Sequence, residues 1–198
     1  MGRRIRSVSA ALLLLCMAMV FLPVSGCSFP AGEISGTDLD GHTVTYGMSR
    51  EEVEEILGTG EKLLGTIYTY GSGWSIGYRD GRVVCISLRG IAGQQVRLPR
   101  TCYSSGLFGW LTQEITVGKT TVEDLAVVLG DPSAAEGDTR LIYCYTDSGS
   151  GRCRLVDDIG GIGDEDAMDA IALTVICSGD GTICEAQVSD LFFARYNK

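Results

Sequence analysis

Three kinds of side chain in this sequence could do chemistry: thiols, a single imidazole and a dense run of carboxylates. Cys27 closes the stretch Val24-Ser25-Gly26-Cys27 at the end of an apolar run, and a thiol is the strongest nucleophile available for alkylation by a lipid donor. His42 is the sole histidine, in Asp38-Leu39-Asp40-Gly41-His42. A catalytic triad needs a nucleophile brought to its base, and no Gly-x-Ser-x-Gly elbow occurs, so His42 reads as a turn residue on an exposed strand. The acids Asp157, Asp158, Asp164, Glu165, Asp166 and Asp169 could offer oxygen ligands to calcium. They lack the spacing of an EF-hand loop and read as a solvated acidic loop. No carboxylate pair is singled out for glycoside hydrolysis. The chain is therefore expected to be no enzyme and to need no cofactor and no metal.

Around Cys27 the layout is that of an export signal. Arg3, Arg4 and Arg6 precede the apolar run Val8 to Leu22, which Pro23 ends before it reaches a comfortable membrane span. The whole arrangement resembles the lipobox of bacterial lipoproteins. That resemblance implies a signal peptide over residues 1–26, lipidation at Cys27, and a location on the extracytoplasmic face of a bacterial membrane. An ordinary secretory signal that happens to end beside a cysteine is the plainer alternative. Removing this segment takes three arginines and no acids, leaving 13 basic against 25 acidic residues and a net charge of −12. Such a chain is a poor match for nucleic acid, whose phosphates need Lys and Arg. It is also repelled by anionic headgroups, so the lipid, not charge, must hold it at a membrane.

The other cysteines follow from export. Cys16 leaves with the signal, and Cys85, Cys102, Cys144, Cys153, Cys177 and Cys184 remain. An even number in an exported chain favours disulfides. No CxxC occurs, which disfavours a metal site. Reduced thiols are the alternative where the host does not oxidise its envelope.

An internal repeat organises the rest. Tyr46-Gly47-Met48-Ser49-Arg50-Glu51-Glu52-Val53-Glu54-Glu55-Ile56-Leu57-Gly58 aligns on its closing glycine with Val117 to Gly130. Ser49 and Thr121 can cap helices whose acids Glu52 and Asp124 return the bond. Val53, Ile56 and Leu57, like Leu125, Val128 and Leu129, make one apolar stripe. Gly58 and Gly130 end the helices. A sheet follows each helix, with Asp80-Gly81 and Asp180-Gly181 marking hairpins. Keeping one apolar face predicts a three-residue Arg79-Asp80-Gly81 loop with Trp74 opposite Ile86 and Ile76 opposite Val84. The second hairpin is predicted with a two-residue turn, Leu173 opposite Val188, Val175 opposite Ala186 and Cys177 opposite Cys184. This register suggests a Cys177–Cys184 disulfide; Cys85–Cys102 and Cys144–Cys153 minimise loop length, but spacing does not choose among connectivities. Gln94 to Pro99 reads as a further strand and Tyr103 to Leu111 as a loop or short helix. Thr146 to Asp169 is an insertion of the kind that is usually flexible or functional.

The expected fold class is α+β: two tandem units, 46–112 and 113–198, each a short helical segment packed on an antiparallel sheet. Residues 27–45 form the tether and a first strand, and 146–169 the acidic insertion. The Gly-Met-Ser-Arg-x-Glu-Val motif with its aromatic strand and Asp-Gly hairpin resembles a superfamily of envelope domains. It includes the SmpA/OmlA (BamE-like) assembly lipoproteins and the β-lactamase inhibitory proteins. The resemblance implies helices on a curved sheet, with aromatics lining a concave face. Tyr68 and Tyr70 share one strand face, and Tyr143 and Tyr145 take matching places. Facing out they form a binding surface; facing in they are core. Ile67 and Thr69 on the alternate face make a poor core, and Cys144 does not decide between the two. The functional expectation is non-catalytic binding of an envelope or extracellular protein through the sheet surface. An envelope assembly or structural lipoprotein, or a surface hydrolase using the acidic insertion, are the alternatives.

Cys27→Ser is expected to release the chain into the medium or leave an uncleaved precursor, read by fractionation and immunoblot. A processed chain that stays with the membrane would show that Cys27 is not the anchor.

Overall fold

The computed structural model describes residues 33–71, 73–99, 102, 114–147 and 153–196. The signal segment, Cys27 and Tyr103 to Leu111 lie outside them. The first part of the chain runs β1 (Ser35–Thr37), β2 (Thr43–Thr45), α1 (Arg50–Leu57), β3 (Glu61–Leu64), β4 (Ile67–Tyr70), β5 (Trp74–Arg79) and β6 (Arg82–Arg89). Two linking strands follow, β7 (Gln95–Arg97) and β8 (Glu114–Thr116). The second part runs α2 (Val122–Leu129), β9 (Ala134–Glu136), β10 (Arg140–Asp147) and β11 (Cys153–Leu155). It ends with a 3-10 turn (Ile159–Gly161), α3 (Asp164–Ala167), β12 (Ile171–Cys177), β13 (Ile183–Asp190) and α4 (Leu191–Tyr196).

Both longer helices begin at the predicted capping boxes. The Ser49 hydroxyl accepts the Glu52 N–H at 3.2 Å while the Glu52 carboxylate accepts the Ser49 N–H at 2.7 Å. Thr121 and Asp124 repeat this at 3.2 and 2.9 Å. Eight residues make a marginal helix in water, so each needs a tertiary hold, and the hold is a backbone clamp. In the first unit Gly47 N–H donates to Val83, Val83 N–H to Met48 and Arg50 N–H to Gly81, at 2.9, 2.8 and 3.1 Å. In the second, Gly118 donates to Ile183, Ile183 to Thr120 and Val122 to Gly181, at 2.7, 3.0 and 3.0 Å. Each helix start is thus pinned to the Asp-Gly hairpin that follows it in its own unit.

The sheets depart from the α+β expectation. Strands account for 45% of the structure and helices for 22%, and the units do not keep separate sheets. One sheet runs β11-β10-β12-β13-β6-β5-β4-β3, with β9 also on β10; a second, four-stranded sheet runs β2-β1-β7-β8. The seam of the large sheet is β6 with β13, antiparallel, Ile86 opposite Val188 and Leu88 opposite Ala186. Each of these strands would otherwise leave an edge of unpaired N–H and C=O groups, and each satisfies the other.

The first hairpin also corrects the predicted register. Its turn is the two residues Asp80-Gly81, between Arg79 and Arg82, and both have positive φ (52° and 74°). Asp-Gly suits that conformation, the usual one for a two-residue hairpin. A bulge beside Gly77 then shifts the pairing, so Trp74 faces Leu88 and Ile76 faces Ile86. The bulge reconciles a tight turn with one apolar face. In the second hairpin Leu173 opposes Val188 and Val175 opposes Ala186 as expected, but a bulge after Ile176 sets Cys177 opposite Ile183, not Cys184.

The main core lies on the sheet face bearing Trp74, Ile76, Ile86, Leu88, Leu173 and Val188, closed by the smaller sheet and by Val53, Leu125 and Leu129 of α1 and α2. Gly36 of β1 sits so close that an added Cβ would stand 2.7 Å from Ile86 Cγ2 and 3.1 Å from the Trp74 ring. On the opposite face Phe193 of α4 rests on Gly77. Far from being an open loop, the described part of the insertion buries Ala167 there beside Ile142, Cys144 and Ala172. Asp190, fully buried, ends β13; it accepts the Phe193 N–H at 2.6 Å and pairs with Arg79 at 2.8 Å. Burial pushes its carboxyl above the ordinary value, with the Phe193 N–H and the Arg79 charge opposing that rise.

Gly36→Val is expected to destabilise the fold by about 1–3 kcal/mol through overpacking. Urea unfolding checks it: the midpoint should fall while the slope stays unchanged.

Candidate functional site

The tyrosines proposed as a sheet-surface contact face inward. Tyr70, Tyr143 and Tyr145 are 1%, 0% and 1% exposed. Tyr70 OH lies 2.6 Å from Tyr78 OH, and burial pushes the Tyr143 phenol up to about 12. Tyr68 is half-buried beneath the Arg50 guanidinium, 3.9 Å from its ring centre, and meets Tyr78 edge-on. The cause is the clamp: it lays the helices and the small sheet on this face, where large amphipathic rings fill the space between them. A solvent-facing tyrosine surface on these four residues is therefore set aside.

The expected cysteine pairings also change. Among the described residues no disulfide lies at bonding distance. Cys177 is buried and its thiol points to the Thr139 carbonyl at 3.2 Å, while Cys184 is exposed with its thiol on the Ile176 carbonyl at 3.3 Å. The bulge between them sends the two thiols to different partners. Cys85 packs under Phe193 and Cys144 lies in the opposite-face core, whereas Cys102 and Cys153 belong to the main core. Instead Cys102 Sγ and Cys153 Sγ are 2.7 Å apart.

What the fold brings together is a cleft at one end of the smaller sheet. Asp38, Leu39, Asp40 and His42 of the β1–β2 turn form one wall. Ile56, Leu57, Tyr70, Gly71, Trp74, Ile91 and Gln94 complete a cavity of about 310 Å³. The turn is organised by Asp38. Its Oδ1 accepts the N–H of Asp40 (3.0 Å) and of His42 (2.9 Å). Its Oδ2 accepts His42 Nδ1–H (3.0 Å) and the Trp74 indole N–H (3.3 Å). A carboxylate only accepts, so Nδ1 carries the imidazole proton. Burial alone would raise the Asp38 carboxyl, but these bonds and the His42 charge hold it below its ordinary value.

Two chemistries can be weighed here. Asp38, Asp40 and His42 each place one potential ligand atom within 4.8 Å of the others. Asp38 already accepts four hydrogen bonds, however, which leaves its oxygens little lone-pair capacity for a metal. Asp38 and His42 also make the acid–imidazole half of a triad, but the described residues lining the cleft include no serine, threonine or cysteine. Gln94 adds the feature that sequence inspection missed. It is 1% exposed, and its side-chain oxygen has no hydrogen-bond partner. An orphaned buried acceptor costs about 1–3 kcal/mol. The Asp-x-Asp-Gly turn was visible in the sequence; Trp74 reaches it through the packing of β1 on the large sheet, and Gln94 through the pairing of β7 with β1.

Compared with known proteins, the chain matches no family model, no curated protein and no solved structure.

The depressed Asp38 value sets a pH prediction. A carboxyl lowered on folding stabilises the native state above its unfolded value, and that contribution is lost as pH falls through the folded one. With Trp110, the other of the two tryptophans in the sequence, replaced by Phe, the Trp74 emission is expected to change with a midpoint below 3.8 on acidification. The Asp38→Ala variant should lack this transition.

Proposed function

We propose that this chain is a non-catalytic, lipid-anchored extracytoplasmic binding module whose recognition site is the Asp38–Gln94 cleft. The signal layout around Cys27 supports the anchor, and the resemblance of the Gly-Met-Ser-Arg motif to envelope-domain families supports a binding role. One observation carries the choice of site. The cleft has aromatic and aliphatic walls, which suit an apolar stem, and carboxylates at its rim, which favour a ligand that brings hydrogen-bond donors. A basic side chain on a partner protein has that chemistry: an aliphatic stem for Trp74 and Leu57, and a charged head for the exposed Asp40 carboxylate. A net charge of −12 on the anchored chain would steer such a partner toward it. The rigid double sheet limits the ordering cost of binding.

The test is a cross-linked pull-down from host envelopes with the full chain, comparing the parent with Asp40→Lys. Asp40 is exposed, so the variant should melt like the parent. A captured partner whose affinity falls about tenfold or more in Asp40→Lys supports the cleft. A partner bound equally by both places recognition elsewhere.

A further inference from the structure

We infer that Cys102 and Cys153 are the one pair of thiols in the described structure built to form a disulfide, and that this bond joins the two sheets. The pair is selected by placement. The sulfurs are 2.7 Å apart, Cys102 is 5% exposed and Cys153 half-buried. Fifty-one positions separate them along the chain. The remaining four thiols among the described residues are engaged elsewhere: Cys177 and Cys184 on separate carbonyls, Cys85 under Phe193, and Cys144 in the opposite-face core.

The position explains what the bond would do. Cys102 follows β7, and its N–H donates to the Pro99 carbonyl at 2.9 Å, so it is carried by the exit from the four-stranded sheet. Cys153 opens β11, which is three residues long and, among the described residues, pairs only with β10 at the edge of the large sheet. Its neighbour Leu155 packs on the main core. Three residues of ladder hold an edge strand weakly. A cross-link from β11 to the end of β7 would fasten that edge, and with it the start of the acidic insertion, across the core to the smaller sheet. Closing a loop of this length also removes conformational freedom from the unfolded chain.

The chemistry is thiol–disulfide exchange with a disulfide-bearing oxidant, such as an oxidoreductase of the export compartment or oxidised glutathione. Cys153, the more accessible, attacks the donor disulfide as its thiolate and releases one donor thiol. The Cys102 thiolate then attacks the Cys153 sulfur of the mixed disulfide and releases the second. Two S–H bonds are lost, one S–S bond forms in the protein, and the donor S–S bond is reduced to two S–H bonds. Burial holds the Cys102 thiol well above its ordinary value, so its attack is the slower of the two steps, and the bond once formed is a structural rather than an exchanging one.

The experiment uses the full chain, exported and purified without reductant, then equilibrated with reduced glutathione in excess over oxidised, so that the exposed Cys184 does not remain a mixed disulfide. Free thiols are alkylated with one reagent in denaturant, so that the buried ones react as well, and the protein is then reduced, alkylated with a second reagent and mapped by peptide mass. The expected result is the second label on Cys102 and Cys153 only, with the first on Cys85, Cys144, Cys177 and Cys184. The unreduced digest should contain one cross-linked peptide joining the two positions. First label on Cys102 and Cys153, or either one joined to another cysteine, overturns the inference. A second measurement does not depend on mapping. Reductant should lower the Tm of the parent by about 5–15 °C. It should leave a Cys102→Ser/Cys153→Ser variant unchanged, while a Cys177→Ser/Cys184→Ser variant responds like the parent. A reductant shift that survives in the Cys102→Ser/Cys153→Ser variant equally overturns it.

Discussion

The rest of the molecule depends on a set of three backbone hydrogen bonds, made twice. Gly47, Met48 and Arg50 clamp to Gly81 and Val83, and Gly118, Thr120 and Val122 clamp to Gly181 and Ile183. Each clamp places a two-turn helix against the hairpin of its own unit and so decides which sheet face is covered. The capping boxes at Ser49 and Thr121 sit directly at these points, so the bond that starts each helix and the bonds that dock it share the same few residues. A helix too short to persist in water becomes stable because its first turn is already tied to a sheet.

Covering that face has consequences in both directions. The second strands of the two Asp-Gly hairpins pair as β6 and β13, and two half-sheets become one. The tyrosines at 70, 143 and 145 are drawn into the core, where their rings fill volume beneath the helices and β1. β1 approaches closely enough that only a glycine fits at position 36. That same approach carries the Asp38 turn to Trp74 and creates the cleft. The site is thus a by-product of how the smaller sheet closes the core, not of either repeat taken alone.

The bulges are the second determinant. One extra residue beside Gly77 allows a tight Asp80-Gly81 turn to coexist with an apolar row through Trp74, Ile76, Ile86 and Leu88. One beside Cys177 separates two thiols that an unbroken register would have set opposite each other. Both preserve the apolar face at the expense of regular pairing. This is the expected outcome when buried side chains are worth about 1.5–3 kcal/mol each and a ladder bond about 0.5–1.5.

The sequence alone determined the local features: the capping boxes at Ser49 and Thr121, the stops at Gly58 and Gly130, both Asp-Gly hairpins, and two of the three pairings in the second one. These rest on bonds between residues a few positions apart, so their chemistry is written in adjacent letters. The tertiary structure alone decided the merging of the units across β6 and β13, the inward turn of Tyr70, Tyr143 and Tyr145, the meeting of Cys102 with Cys153, and the gathering of Trp74 and Gln94 around Asp38. Each of these depends on contacts between segments tens of residues apart. Periodicity tells which residues share a face, but what covers that face is settled by competition among all the apolar surfaces for the same core.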